Sequence, residues 1–413
     1  MKVYSLKTKF KKILADTITP VNVYLKLRDI FPHSLLLESS DYSSNNKNFS
    51  YICCNPIASI ELKNKKLTTH LPDKSSIVEK VDESIDIPER VHEFSTQFKS
   101  EKQPFEFISN GVFGFIAHEA VERFDKIKLD RNKSGIYMPD MYYAVYENII
   151  AISLFNHEAY LFSNIYDGDH NLDKIEKLLY SQTSTPFKFE KVGEKSSNLT
   201  DLEFIDFVKK GKEHCYRGDV FQLVLSRQFS QKFKGDEFNV YRTLRSINPS
   251  PYLFFFDYGY FKIFGSSPEA QLIVNNGKAE IHPIAGTFRR TGNDLKDTQA
   301  AEELAKDPKE NSEHVMLVDL ARNDLSRNGS NVLVEKNREI QFFSHVIHLV
   351  SKVTCTMKDS AKTFRVVADT FPAGTLSGAP KHKALQLIDK YEKTQRNFYG
   401  GAIGYMDFYG NFN

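Results

Sequence analysis

Apolar and polar positions change period several times along this chain, and each change predicts an element. Over Lys309–Arg327 (KENSEHVMLVDLARNDLSR), Val315, Met316, Val318 and Leu320 predict the buried side of one helix, with Asn311 or Ser312 able to cap its start. Thr200-Asp-Leu-Glu203 is a capping-box pattern ahead of Leu202, Ile205 and Val208, which predicts a second helix. Strand alternation takes over at Val220–Phe229, where Gln222, Val224, Ser226 and Gln228 would face one way and Phe221, Leu223, Leu225 and Phe229 the other. Buried strands are expected at Phe49–Cys54 and Gly111–His118. Tyr142–Phe155 and Glu158–Ser163 predict a strand pair joined at Asn156–His157, and Leu253–Phe256 with Phe261–Phe264 a hairpin. Ser34–Ser40 (SLLLESS) is an apolar run that stops at Glu38, followed by a polar loop, Asp41–Lys47. Asp173–Leu179 reads as a short helix, and the polar stretch 62–104 as a surface insertion or a helix with loops.

Composition adds boundaries. Residues 181–198 are rich in Ser, Thr, Lys and Glu and are expected to link an N-terminal region, 1–180, to a C-terminal region, 199–413. A net charge of +2 gives no electrostatic footprint for a nucleic acid. No apolar run approaches the length of a membrane span, and the basic N-terminus lacks the apolar segment of a signal peptide. The four cysteines, Cys53, Cys54, Cys215 and Cys355, form no C-x-x-C pair, so a reducing, cytoplasmic setting is the expectation. The chain has 33 Phe and no Trp, which constrains the fold little because Phe alone can fill a core.

Candidate chemistry clusters in the second half. Glu310 and Glu313 are three apart and share a helix face, beside His314; two such carboxylates can hold a hard divalent cation, although for the helix taken alone an exposed, salt-bridged amphipathic face is the favoured explanation. Gln222 among apolar neighbours needs partners for its amide. GSSPE (Gly265–Glu269) and HPIAGT (His282–Thr287) are small-residue loops suited to carboxylate recognition. His345 and His348 lie in FFSHVIHLVSKV, where a strand would send them to opposite faces and a helix to one. FPAGTLSGAPKHK (Phe371–Lys383) reads as a loop entering a helix, and YGGAIGY (Tyr399–Tyr405) as a glycine-permissive strand. Together these point to a metal-assisted site for a small anionic substrate.

The ordered set GDVFQLVLSR, NPSPY, GSSPE, PIAGT, KENSEHVMLVDLARND, SHVIHLVSKV and PAGTLSGAPK resembles the chorismate-utilising enzymes, and within them the large subunits (component I) of anthranilate synthases. The resemblance covers nearly all of 200–413, and LLLES extends it into the N-terminal region. It implies an α+β fold: two antiparallel β-sheets packed as a sandwich with surrounding helices. It also implies a reaction, in which chorismate, ammonia and Mg²⁺ yield anthranilate and pyruvate. Glu313 would bind Mg²⁺, with Glu310 beside it. Gly286 and Thr287 would bind substrate, Thr375 and Tyr399 would contact it, and His348 would serve the later proton transfers. Relatives that add water carry a Lys where this chain has Gln222, so Gln222 implies an amine product. Ala285, where aminodeoxychorismate-forming relatives have Lys, implies anthranilate.

The same resemblance makes Ser39, Pro251, Tyr252 and Leu253 an allosteric site for tryptophan as feedback inhibitor. No cysteine has the setting of an amidotransferase nucleophile, so ammonia is expected free or from a separate glutamine amidotransferase subunit (component II). The family pattern continues past YGGAIGY into a substrate-binding Arg and a second Mg²⁺ glutamate. The chain ends at Asn413, so the expectation is a fragment that binds chorismate and Mg²⁺ weakly and is poorly soluble. An aminodeoxychorismate synthase and a non-catalytic tryptophan- or partner-binding module are the competing readings.

Overall fold

The computed structural model describes residues 2–39, 48–181, 187–343, 345–359 and 362–413. The expected Asp41–Lys47 loop, Ser40, Ser344 and part of the 181–198 segment lie outside the described residues.

Two sheets dominate among the described residues. Twelve strands form the larger, whose main path runs Lys262–Ser267, Tyr252–Asp257, Leu35–Glu38, Ser50–Lys63, Met141–Ser153, Glu158–Ile165, Tyr4–Leu14 and Phe98–Ser100. Five form the smaller, with Val346–Met357 at its centre between Gly329–Phe342 on one side and Lys278–Ile281 and Ile284–Arg289 on the other. Pairing is antiparallel except between Tyr4–Leu14 and Phe98–Ser100. One core draws on both sheets and on helices. It joins Ile60, Val112 and Tyr143 of the larger sheet to Val353 and Cys355 of the smaller, with Leu325 and Phe364 from helices. The fold is therefore α+β, two largely antiparallel sheets with helices packed about them, as the family resemblance implies.

The halves of the chain share the larger sheet. Leu35–Glu38 pairs with Tyr252–Asp257, and Val112–Ile116 with Ala402–Met406. Within the expected linker, Phe189–Ser197 is a strand on Phe229–Gly235, because Phe189 and Phe233 stack at 5.4 Å across the pair. Stretch 62–104 is likewise ordered, as strands Lys66–His70 and Ser76–Lys80 and helix Ile87–Thr96.

Three local readings differ from the structure. The capping box at Thr200 forms as read, but Leu202 and Ile205 are 79% and 49% exposed, and the helix Asp201–Tyr216 buries Phe207, Gly211 and His214 instead. The inward face is set by what the helix meets, and Gly211 faces Leu223 and Leu225. The expected long strand Val220–Phe229 is only Gln222–Leu223, because its partner, Gly378–Ala379, is two residues long. The acidic helix spans Pro308–Ser326 and is capped by Asp307, not by Asn311 or Ser312, since Pro308 is suited to the first helical turn and Asp307 Oδ1 accepts from the Glu310 amide at 2.9 Å.

Candidate functional site

The helix Pro308–Ser326 forms one wall of a cavity of about 690 Å³ lined by Gln222, Glu313, Val315, Met316, Leu320 and Ala379, among others. Three of the four apolar residues expected in its core therefore face this cavity. The core side is Leu317, Val318, Ala321 and Leu325, together with His314. His314 is fully buried, its Nε2 lies 2.6 Å from Ser351 Oγ, and burial pushes its pKa down to about 4, so it is a neutral core residue.

Glu313 uses Oε1 to accept from Gln222 Nε2 at 3.0 Å. A carboxylate only accepts, so this contact fixes the amide's orientation and leaves Gln222 Oε1 buried without a partner. Gln222 itself is placed by its pairing with Ala379. A Cβ on Gly378, where φ is +136°, would run into the Gln222 carbonyl oxygen, so glycine is required there.

Glu310, one turn earlier, faces the strand Ile284–Arg289. A Cβ on Gly286 would lie 3.4 Å from Glu310 Oε2 and 2.9 Å from Leu304 Cδ1. Gly286 has φ +70° at a register shift between Ala285 and Thr287, a bulge that re-aims its carbonyl. That carbonyl lies 2.9 Å from His348 Nδ1, with Thr287 Oγ1 at 3.2 Å. A carbonyl can only accept, so Nδ1 carries the proton in the neutral ring and Nε2 keeps a lone pair. His348 is buried in the central strand Val346–Met357, while His345 precedes that strand and reaches the Ile247 carbonyl at 2.8 Å.

Thr375, in the short helix Gly374–Ser377, donates to Glu269 at 2.8 Å. Desolvation raises the Glu269 pKa to about 7, and the Thr375 hydrogen bond offsets this only in part. Sequence reasoning recorded GSSPE as a small-residue loop and missed Glu269; its signal was a lone carboxylate closing a loop of small residues. The Thr375 loop packs on the acidic helix, where a Cβ on Gly374 would strike Leu320. It is tied there by Lys381, whose Nζ bonds Asp324 at 2.7 Å and the Thr370 carbonyl at 2.8 Å. Tyr399 is 44% exposed, with the Arg396 guanidinium 5.2 Å from its ring centre.

Two carboxylates with no soft donor suit a hard cation such as Mg²⁺, which commonly takes one or two protein carboxylates and keeps waters. Among the described residues, no group of three or more His, Cys, Asp or Glu could hold a metal ion. Glu313 lines the cavity and Glu310 lies against Gly286, each a hard oxygen donor of the kind Mg²⁺ takes.

A second cavity, of about 240 Å³, brings together Ser39, Pro251, Tyr252 and Leu253, with Glu38, Tyr51 and Tyr405. Glu38 does more than end its strand. It is buried and accepts from Tyr241 Oη at 2.6 Å and Arg245 Nε at 3.1 Å.

Comparison with known proteins adds a family to this geometry. The family described as chorismate binding enzyme matches residues 35–413. Anthranilate synthase component 1 of Aquifex aeolicus is 34% identical over 434 aligned positions, covering 99% of this chain and 85% of that protein. The crystal structure of anthranilate synthase component I from Streptococcus pneumoniae superposes with a TM-score of 0.73 at 28% identity, covering 97% of this chain and 89% of that one. A menaquinone-specific isochorismate synthase from Escherichia coli shares the fold at a TM-score of 0.71, with 13% identity and coverage of 100% and 85%.

Proposed function

The chain belongs to the chorismate binding enzymes, and from that premise we propose that it acts as an anthranilate synthase large subunit. In this reading ammonia bonds C2 of chorismate as the C4 hydroxyl leaves as water. Removal of the C2 proton then expels the enolpyruvyl oxygen from C3, the ring becomes aromatic, and the released enol takes up a proton to become pyruvate. The observation that carries the choice is Gln222. A water-adding enzyme needs a base beside the nucleophile, whereas the neutral amide here is held by Glu313 and offers a buried, unpartnered Oε1. That oxygen can accept an N–H of ammonia, which needs no prior deprotonation to attack.

The remaining residues divide the proton work. Glu269, protonated up to about pH 7 and bonded to Thr375, can hand its proton to the departing C4 hydroxyl. His348, fixed by the Gly286 carbonyl with Nε2 free, can take the C2 proton in the second stage. Bound Mg²⁺ would neutralise a substrate carboxylate and polarise the reacting ring. Glu313 and Glu310 are the residues that would hold it.

Ammonia is taken from solution or from a separate glutamine amidotransferase subunit in a cytoplasmic setting. The cavity around Ser39 and Tyr252 binds tryptophan as feedback inhibitor. Its union of all four residues expected for that ligand, in a space of about 240 Å³, supports this.

Mixing the full chain with chorismate, Mg²⁺ and ammonium tests the activity. Growth of anthranilate fluorescence is expected. Isochorismate as the product would overturn the reading, and so would an aminodeoxychorismate that never loses pyruvate.

A further inference from the structure

Three of the residues assigned to the site sit on separate segments: Gln222 on its short strand, Thr375 in its loop, Tyr399 beyond the helix Lys381–Tyr391. One buried pair touches all three segments. Arg396 and Glu392, with side chains 2% and 5% exposed, are joined by Nε to Oε2 at 2.9 Å and Nη2 to Oε1 at 2.6 Å. Arg396 Nη1 also donates to the Leu376 carbonyl at 2.7 Å, next to Thr375, and Nη2 to the Val224 carbonyl at 2.6 Å, two residues past Gln222. Glu392 Oε1 accepts from the Ser226 amide at 2.7 Å on the same segment. The guanidinium lies 5.2 Å from the Tyr399 ring centre. From the N-terminal half, Glu119 Oε1 accepts from the Arg396 and Asn397 amides at 2.8 and 3.2 Å and so fixes the backbone that carries the fork.

We propose that the Arg396–Glu392 pair is the positioning device of the site, holding the Thr375 loop and the Gln222 strand in register. The inference rests on the reading of Gln222 and Thr375 as site residues. Its physical basis is the planar guanidinium, whose donors point in fixed directions. One donor is committed to each segment and two to the carboxylate, so a shift of either segment breaks a charge-assisted bond between buried groups. A lysine carries the same charge but has no fixed fork. It can keep the ion pair with Glu392 while losing hold of the two carbonyls.

The test is Arg396→Lys in the full chain, read in two ways. Hydrogen exchange by mass spectrometry is expected to rise at least tenfold in peptides covering 373–379 and 222–226, and to stay unchanged in the central strand 346–357. With chorismate, Mg²⁺ and ammonium, kcat is expected to fall about 100-fold with KM within threefold, because geometry rather than ground-state binding is lost. The basic limb of the kcat profile should also move to lower pH as water reaches Glu269. Unchanged exchange in both peptides overturns the proposal. So does a rise spread evenly over the chain, which is what a merely structural pair would give. Glu392→Gln, which weakens the pair from the other side, should raise exchange in the same two peptides, and protection there would count equally against it. If the parent chain made no anthranilate, the functional reading would fall while the exchange measurements still decided the clamp.

Discussion

Glu269 binds a proton across a range where an ordinary carboxyl has lost it, because its carboxyl is desolvated and the Thr375 hydrogen bond offsets this only in part. Two consequences have opposite readouts. If the proton is the one given to the leaving hydroxyl, kcat falls as pH rises through about 7, and Glu269→Gln lowers kcat by about 10²–10⁴-fold and removes that limb. The same group also affects stability. Between the unfolded value near 4.5 and the folded value near 7, the folded chain binds more protons, so its stability declines as pH rises through that window. Melting scans at pH 5 and pH 8 should therefore show a smaller difference in the Gln variant than in the parent. At Glu313 the expected effect concerns the cation. Chelation by EDTA should abolish turnover, and Glu313→Gln should raise the Mg²⁺ concentration for half-maximal rate by about ten- to a hundredfold, measured by titrating the metal into stripped protein. An unchanged Mg²⁺ requirement would remove Glu313 from the metal site.

At the scale of elements, the acidic helix is held to the loop that carries Thr375 by a buried ion pair. Lys381→Met strands Asp324, whose carboxyl burial already pushes its pKa up and which Lys381 counteracts. Breaking such a pair costs about 3–5 kcal/mol, and denaturant unfolding should show it. Replacing both partners with apolar residues should recover much of that loss. Much of this level was legible in the chain. The capping box at Thr200, the strand pair at Met141–Ser153 and Glu158–Ile165, and the hairpin after NPSPY all follow from short-range signals. What escaped was the direction a helix faces. Leu202, Ile205 and Val315 are apolar at helical spacing yet face outward or into a cavity, because the inward stripe depends on distant partners that periodicity does not name. The two-residue strand at Gln222 escaped for a related reason, since its length is set by residues more than 150 positions away. Motif order brought Gln222, Glu313, Gly286 and His348 forward as candidates. It missed Glu269, whose significance lies in desolvation and in its bond to Thr375, 106 residues further along the chain.

At the scale of the whole molecule, the boundary read at 181–198 separates stretches of sequence rather than bodies in space. The larger sheet takes strands from both sides of it. The Ser39 cavity is walled by Leu35–Glu38, by Tyr252–Asp257 and by Ala402–Met406, the strand that follows Tyr399 and the Arg396 clamp. A ligand there touches the same strand that leads out of the site, which offers a mechanical route for inhibition. Ser39→Phe is expected to fill the cavity, raise the tryptophan concentration for half inhibition at least tenfold and leave kcat within twofold, as read from anthranilate formation. Inhibition that persisted unchanged would place the effector elsewhere. The tyrosines of this cavity, Tyr51, Tyr252 and Tyr405, belong to a chain with no tryptophan of its own. Any indole emission from a purified sample would therefore come from bound ligand, sensitised by energy transfer from the surrounding phenols. The chain would report its own occupancy optically without a label.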